Sequence, residues 1–153
     1  MAHNRLALLF MLMAVVPAAC KSHKAKTYSS ECAAGIQYKP VSFVHLIDSI
    51  KYYDKQYVQV SGTYQEGKHT SALVNDSTFT DHSNAHAFWV NFTQDCPLYE
   101  NDNHTGLFET EDGQYNQLNN KAITIRGRID VQKKGHLKAY RATINEVSYL
   151  KLN

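Results

Sequence analysis

The apolar positions of the chain change their spacing near residue 54. In "VSFVHLIDSI" the residues Phe43, Leu46, Ile47 and Ile50 recur at intervals of three and four, and Ser42 stands where a helix cap is wanted. That spacing predicts a short amphipathic helix. Asp54, Lys55 and Gln56 form a polar turn, and beyond them the period drops to two. "YVQVSGTY" places Val58, Val60, Gly62 and Tyr64 on one face, and a second strand is predicted around Ala72 to Val74. "AFWVNF" sets Phe88, Val90 and Phe92 against Ala87, Trp89 and Asn91. "KAITIRGRIDV" aligns Ile123, Ile125, Gly127, Ile129 and Val131, with Thr124, Arg126, Arg128 and Asp130 opposite. The last run begins with Tyr140, Ala142 and Ile144 in phase, slips at Asn145–Glu146 and resumes at Val147 and Tyr149, which predicts a bulge or bend. Lys133 to His136, "KKGH", is a candidate hairpin turn between the last two strands.

Two of these strands share one design. "VQVSGTY" and "ITIRGRI" each alternate twice and then place a glycine in an inward position. A missing side chain there lets a sheet coil tightly, and tight coiling in two strands favours a small closed barrel. The stretch 93–120 between strands three and four is too long to be structureless inside a compact domain, so an ordered crossover is expected. Three strands, a long connection and two strands is the order of an OB-like, five-stranded Greek-key barrel, here mainly β with a short N-terminal helix. The passage "LIDSIKYYDKQYVQVSGTY" is similar to the helix-to-strand entry of bacterial OB-type domains, where a short helix leads through a polar turn into V-x-V-x-G.

The first twenty residues carry a different signal. "MAHNRLALLFMLMAVVPAAC" has a basic start at Arg5, an apolar run from Leu6 to Val16, and small residues before Cys20. The run is too short to span a bilayer, and it looks like a bacterial lipoprotein signal whose cysteine becomes the lipidated N-terminus. The alternative is ordinary signal cleavage after Ala18, which leaves Cys20 a plain thiol. With this leader, the chain resembles small bacterial OB-fold-like lipoproteins over roughly residues 40–150, and the resemblance supplies no catalytic residue. The expected organisation is a signal peptide over 1–19, a polar tether over 20–39 and the barrel domain over 40–153. That resemblance implies a lipid-anchored place in the bacterial cell envelope, facing the periplasm, with the membrane as a partner through Cys20.

The remaining cysteines, Cys32 and Cys96, form an even pair that an oxidising compartment would join as a disulfide. Removing Arg5 with the leader takes one charge from the 16 basic residues and leaves 15 against 14 acidic ones. Near-balance gives no nucleic-acid-binding excess, and no nucleic-acid partner is expected.

Candidate chemistry is sparse. His82 and His86 have a helical four-residue spacing, but "NDSTFTDHSNAHAF" reads as a loop and lacks a metalloprotease glutamate. "ENDNHTG" lacks the glycine placement and closing glutamate of a calcium loop. No nucleophile elbow, phosphate loop or cysteine–histidine pair is present, so no catalytic residue, metal or cofactor is predicted. The candidate binding face is Trp89, Asn91, Arg126 and Arg128, outward residues of strands three and four that are suited to a sugar ring or a peptide side chain. The competing view has Trp89 packed beneath the N-terminal arm or the crossover. The expected function is a non-catalytic binding or scaffolding module for an envelope protein or a glycan. The alternatives are a metal-dependent hydrolase of envelope material and a purely structural lipoprotein.

Overall fold

The computed structural model describes residues 25–109 and 117–153, and the expected leader and Cys20 lie outside them. In chain order the elements are β1 (Thr27–Ser29), β2 (Lys39–Pro40), α1 (Phe43–Asp48), β3 (Tyr57–Gly67), β4 (Thr70–Val74), β5 (Phe88–Val90), β6 (Tyr99–Glu100), β7 (Lys121–Asp130) and β8 (Ala142–Leu152). β3 pairs antiparallel with both β4 and β7, and β4 pairs antiparallel with β5. β5 runs parallel to β8, and β8 returns antiparallel to β7, which closes a mixed five-stranded ring. The fold is therefore an OB-like closed barrel. α1 precedes all five barrel strands but follows β1 and β2.

The alternation sets the interior. Val58, Val60 and Tyr64 of β3, Ile123, Ile125 and Ile129 of β7, and Phe88 and Val90 of β5 are buried in one cluster with Ile144 and Leu150 of β8. α1 adds Phe43, Leu46 and Ile47 to the same core, and the Ser42 hydroxyl caps it by accepting from the His45 N–H at 3.3 Å. The turn after the helix holds Lys55 at φ +61°, while its N–H donates to the Ile129 carbonyl at 2.8 Å.

Both inward glycines are close approaches. A Cβ on Gly62 would lie 2.7 Å from the Val74 carbonyl oxygen, and one on Gly127 would lie 2.6 Å from Ile144 Cγ2 and 2.8 Å from the Asn145 carbonyl oxygen. Gly127 faces the β8 bulge. Arg126 pairs with Tyr149 and Arg128 with Asn145, so β8 spends two extra residues there, with Glu146 at φ +49°.

Three expectations are corrected. The bulge restores rather than reverses the alternation, so Leu150 turns inward and Tyr149, expected inward, lies on the outer face. Tyr140 precedes β8 and joins a separate small cluster with Ala72 and Ala87, against which Val74 and Trp89 pack. The β7–β8 connection is no tight hairpin: it spans residues 131–141 and contains a 3-10 turn at His136–Lys138. The segment expected as a tether over 20–39 is held where it is described. Thr27–Ser29 pairs with β8 along the edge that β5 leaves open, and the ring of Tyr28 is fully buried in the core.

The disulfide is formed. Cys32, in the 3-10 turn after β1, joins Cys96 in the crossover, with Cα atoms 5.7 Å apart. It ties the N-terminal arm to the long connection.

Candidate functional site

The four residues predicted as a binding face all lie on the outside of the barrel, but they do not form one surface. Arg126 is held on the β3 side. Its Nε donates to Gln59 Oε1 at 2.7 Å, and its guanidinium sits over Tyr149 at 4.4 Å and near Tyr38 at 5.7 Å. Trp89 is packed. Gly135, at φ +63°, lies so close above it that a Cβ there would meet the ring at 2.6 Å, and Tyr140 meets it edge-on at 5.2 Å. The cover is the β7–β8 loop rather than the N-terminal arm or the crossover. Because Trp89 is the only tryptophan of the chain, its emission reports that loop. Gly135→Ala is expected to lift the loop and red-shift the fluorescence; an unchanged spectrum would contradict this packing.

Asn91 and Arg128 do meet. They line a recess of about 230 Å³ together with Asp130, Lys133, Asn145 and Glu146. A neighbouring recess of about 410 Å³ shares Asn91, Lys133 and Asn145 and adds Trp89, Thr143, Lys134 and Lys138. The two form one trough along the outer faces of β5 and β8. At its centre the Asn91 amide donates to Asn145 Oδ1 at 3.0 Å, and the Asn91 backbone N–H donates to the Ile144 carbonyl at 2.9 Å.

Charge on the loop above the trough is one-sided. Residues 131–141 carry Lys133, Lys134, His136, Lys138 and Arg141 and no acid. Lys133, Lys134 and Lys138 make no ion pair among the described residues. The acids at the rim are already engaged. Asp130 pairs with Lys55 at 2.8 Å and accepts from the N–H groups of Gln132 and Lys133, and these contacts, the lysine first, hold its carboxyl below the ordinary range. The loop is steadied at its far side by His136, which stacks on His69 of the β3–β4 turn at 4.7 Å.

Glu146, set by the bulge, accepts from the Tyr57 hydroxyl at 2.6 Å and from Arg128 Nη1 at 3.0 Å. The Tyr57 bond, followed by Arg128, holds its pKa below the ordinary 4.5. A depressed carboxyl contributes stability that is complete above the unfolded value and is lost as pH falls through the folded one. Glu146→Gln is therefore expected to be modestly less stable than the parent at about pH 7, since the pair is part-exposed, and to close that gap in acid once the pH has fallen through the depressed folded-state value. Urea titrations at neutral and acid pH check this, and a gap that persists in acid would contradict it.

Thr143 was not singled out by pattern reading. The residue is 2% exposed and borders the trough, and its Oγ1 is buried without a hydrogen-bond partner. The lysines were readable as the acid-free run "KKGHLK", whereas the orphaned hydroxyl becomes visible only once β8 is placed beneath the loop.

The buried Tyr28 hydroxyl is likewise without a hydrogen-bond partner, while the polar groups of the other recesses answer one another. A larger recess of about 720 Å³ beside the disulfide is lined by Ser29, Glu100 and Asn101, but the Ser29 hydroxyl donates to Asn101 Oδ1 at 2.6 Å and Glu100 pairs with Lys26 at 3.5 Å. His82 pairs with Asp76 at 3.3 Å and His86 with Asp81 at 2.9 Å, as two separate couples. Among the described residues no group of three or more His, Cys, Asp or Glu is placed to hold a metal ion, and no helix is long and apolar enough to cross a membrane. Compared with known proteins, the chain matches no family, no curated protein and no solved structure.

Proposed function

We propose that this protein is an envelope lipoprotein, anchored to a membrane through Cys20, and that it works as a non-catalytic binding module for a protein or a glycan. The observation that carries the reading is the trough on β5 and β8, where lysines outside any ion pair and two amides converge without any nucleophile–base geometry. Its position suits an anchored module. The chain enters beside Leu152, since the Leu152 N–H donates to the Lys26 carbonyl, whereas the basic loop springs from the Ala142 end of β8. At the rise of a strand these ends are roughly 30 Å apart, so the described chain enters at the end of β8 remote from the trough.

A photo-crosslinking residue at Lys134, with exposed Lys39 as control, tests the reading in native envelopes. The expected result is an adduct from position 134 alone, in a protein that Cys20→Ala releases from membranes. Equal adducts at both positions, or none at position 134, would contradict a binding role for the trough. Stoichiometric zinc or calcium in the purified protein would turn the reading toward the hydrolase.

A further inference from the structure

The most exposed large apolar side chain among the described residues is Leu137, at 84%, and it stands on the β7–β8 loop. A single exposed leucine is ordinary. This one is displayed against the preference of its own backbone. Leu137 lies at φ +53° and Lys138 after it at φ +57°, two left-handed residues in succession of which neither is glycine. Such conformations are unfavourable and collect where a chain does work. Leu137 does not line the trough, although Gly135 and Lys138 on either side of it do. We propose that the loop docks on an anionic lipid surface, with Leu137 entering between headgroups and Lys133, Lys134 and Lys138 at the level of the phosphates. The docking does not depend on what the trough binds.

The combination of groups separates a bilayer from other partners. Residues 131–141 carry no acid, and each lysine held near an anionic leaflet adds to the attraction while its stem lies along apolar surface. A soluble polyanion would use the lysines and leave the leucine idle. A protein interface covers about 800 Å² of each partner and wants a broader apolar patch than one side chain. A bilayer interface accepts a lone apolar residue ringed by cations. The tip is also ordered in advance. Gly135 rests against Trp89, and His136 stacks on His69 at 4.7 Å. Arg141 donates from its backbone N–H to the Ala87 carbonyl at 3.0 Å and from Nε to the Ile47 carbonyl at 3.2 Å. A loop held this way loses little freedom on docking.

Co-sedimentation of the full chain with vesicles tests this, with Cys20→Ala in every protein so that no acyl chain contributes. The vesicles are phosphatidylcholine alone or an equal mixture with phosphatidylglycerol. Binding is expected to the mixed vesicles and to weaken with salt. Leu137→Ser should weaken it about tenfold, and Lys133→Gln with Lys134→Gln roughly thirtyfold, with melting temperatures level because all three side chains are exposed. No binding to the mixed vesicles, or equal binding to both kinds, would overturn the docking. Binding that Leu137→Ser leaves unchanged would overturn the insertion and reduce the loop to a charged surface. Soluble polyphosphate bound as tightly as the mixed vesicles, with the same indifference to Leu137, would assign the loop to polyanions instead.

Discussion

Gly127→Val is expected to destabilise the protein by about 3 kcal/mol, the upper part of the range for forcing volume into a packed site. The alanine alone would place its Cβ 2.6 Å from Ile144 Cγ2 and 2.8 Å from the Asn145 carbonyl oxygen, and the second of these is backbone that cannot rotate aside. Valine adds two further methyl groups to the same space. The strain falls on the bulge that also presents Asn145 and Glu146, so crosslinking at Lys134 should weaken as well. A urea titration reads the first effect. A cost under about 0.5 kcal/mol, the level of an ordinary surface change, would mean that β7 and β8 do not approach so closely.

The second large effect belongs to the disulfide. Cys32 and Cys96 are 64 residues apart in sequence, and closing a loop of that length removes enough freedom from the unfolded chain to stabilise the fold by about 4 kcal/mol on the chain-entropy argument. Cys32→Ser together with Cys96→Ser is expected to lower stability by about that amount and to loosen the arm carrying Tyr28 before the barrel itself opens. Hydrogen exchange would show faster exchange at Thr27–Ser29 than at β7. Unchanged stability without the bridge would contradict the role assigned to it.

The barrel was legible because its signal is local and repeated. Val58, Val60 and Tyr64, or Ile123, Ile125 and Ile129, announce one face at a period of two, and a glycine in the same phase marks where that face must come close to its neighbour. The bulge was legible as a slip at Asn145–Glu146, but its size was not, and so Tyr149 was assigned to the wrong face. β1 was hidden for the opposite reason. Three residues are too few to show a period, and Tyr28 looks like one aromatic in a polar segment until β8 offers it an edge.

The candidate site was only half legible. Alternation states that Trp89, Asn91, Arg126 and Arg128 point outward, and they do; it says nothing about what lies over them. The loop that covers Trp89 comes from far along the chain, and the partners of Arg126 and Arg128, Gln59 and Glu146, sit on neighbouring strands. Thr143 reads as an ordinary strand threonine until the loop above it removes solvent without supplying a partner.

All of this depends on the ring being shut, since an open sheet would place neither β5 beside β8 nor the loop above Trp89. Nuclear Overhauser contacts in the folded protein test closure at both seams at once. The expected result is cross-peaks linking Val90 with Ile144 across the parallel pair and Gly62 with Ile123 across the antiparallel one. Gly62–Ile123 contacts without any between Val90 and Ile144 would show a sheet that never closes, and would contradict the barrel and the trough built on it.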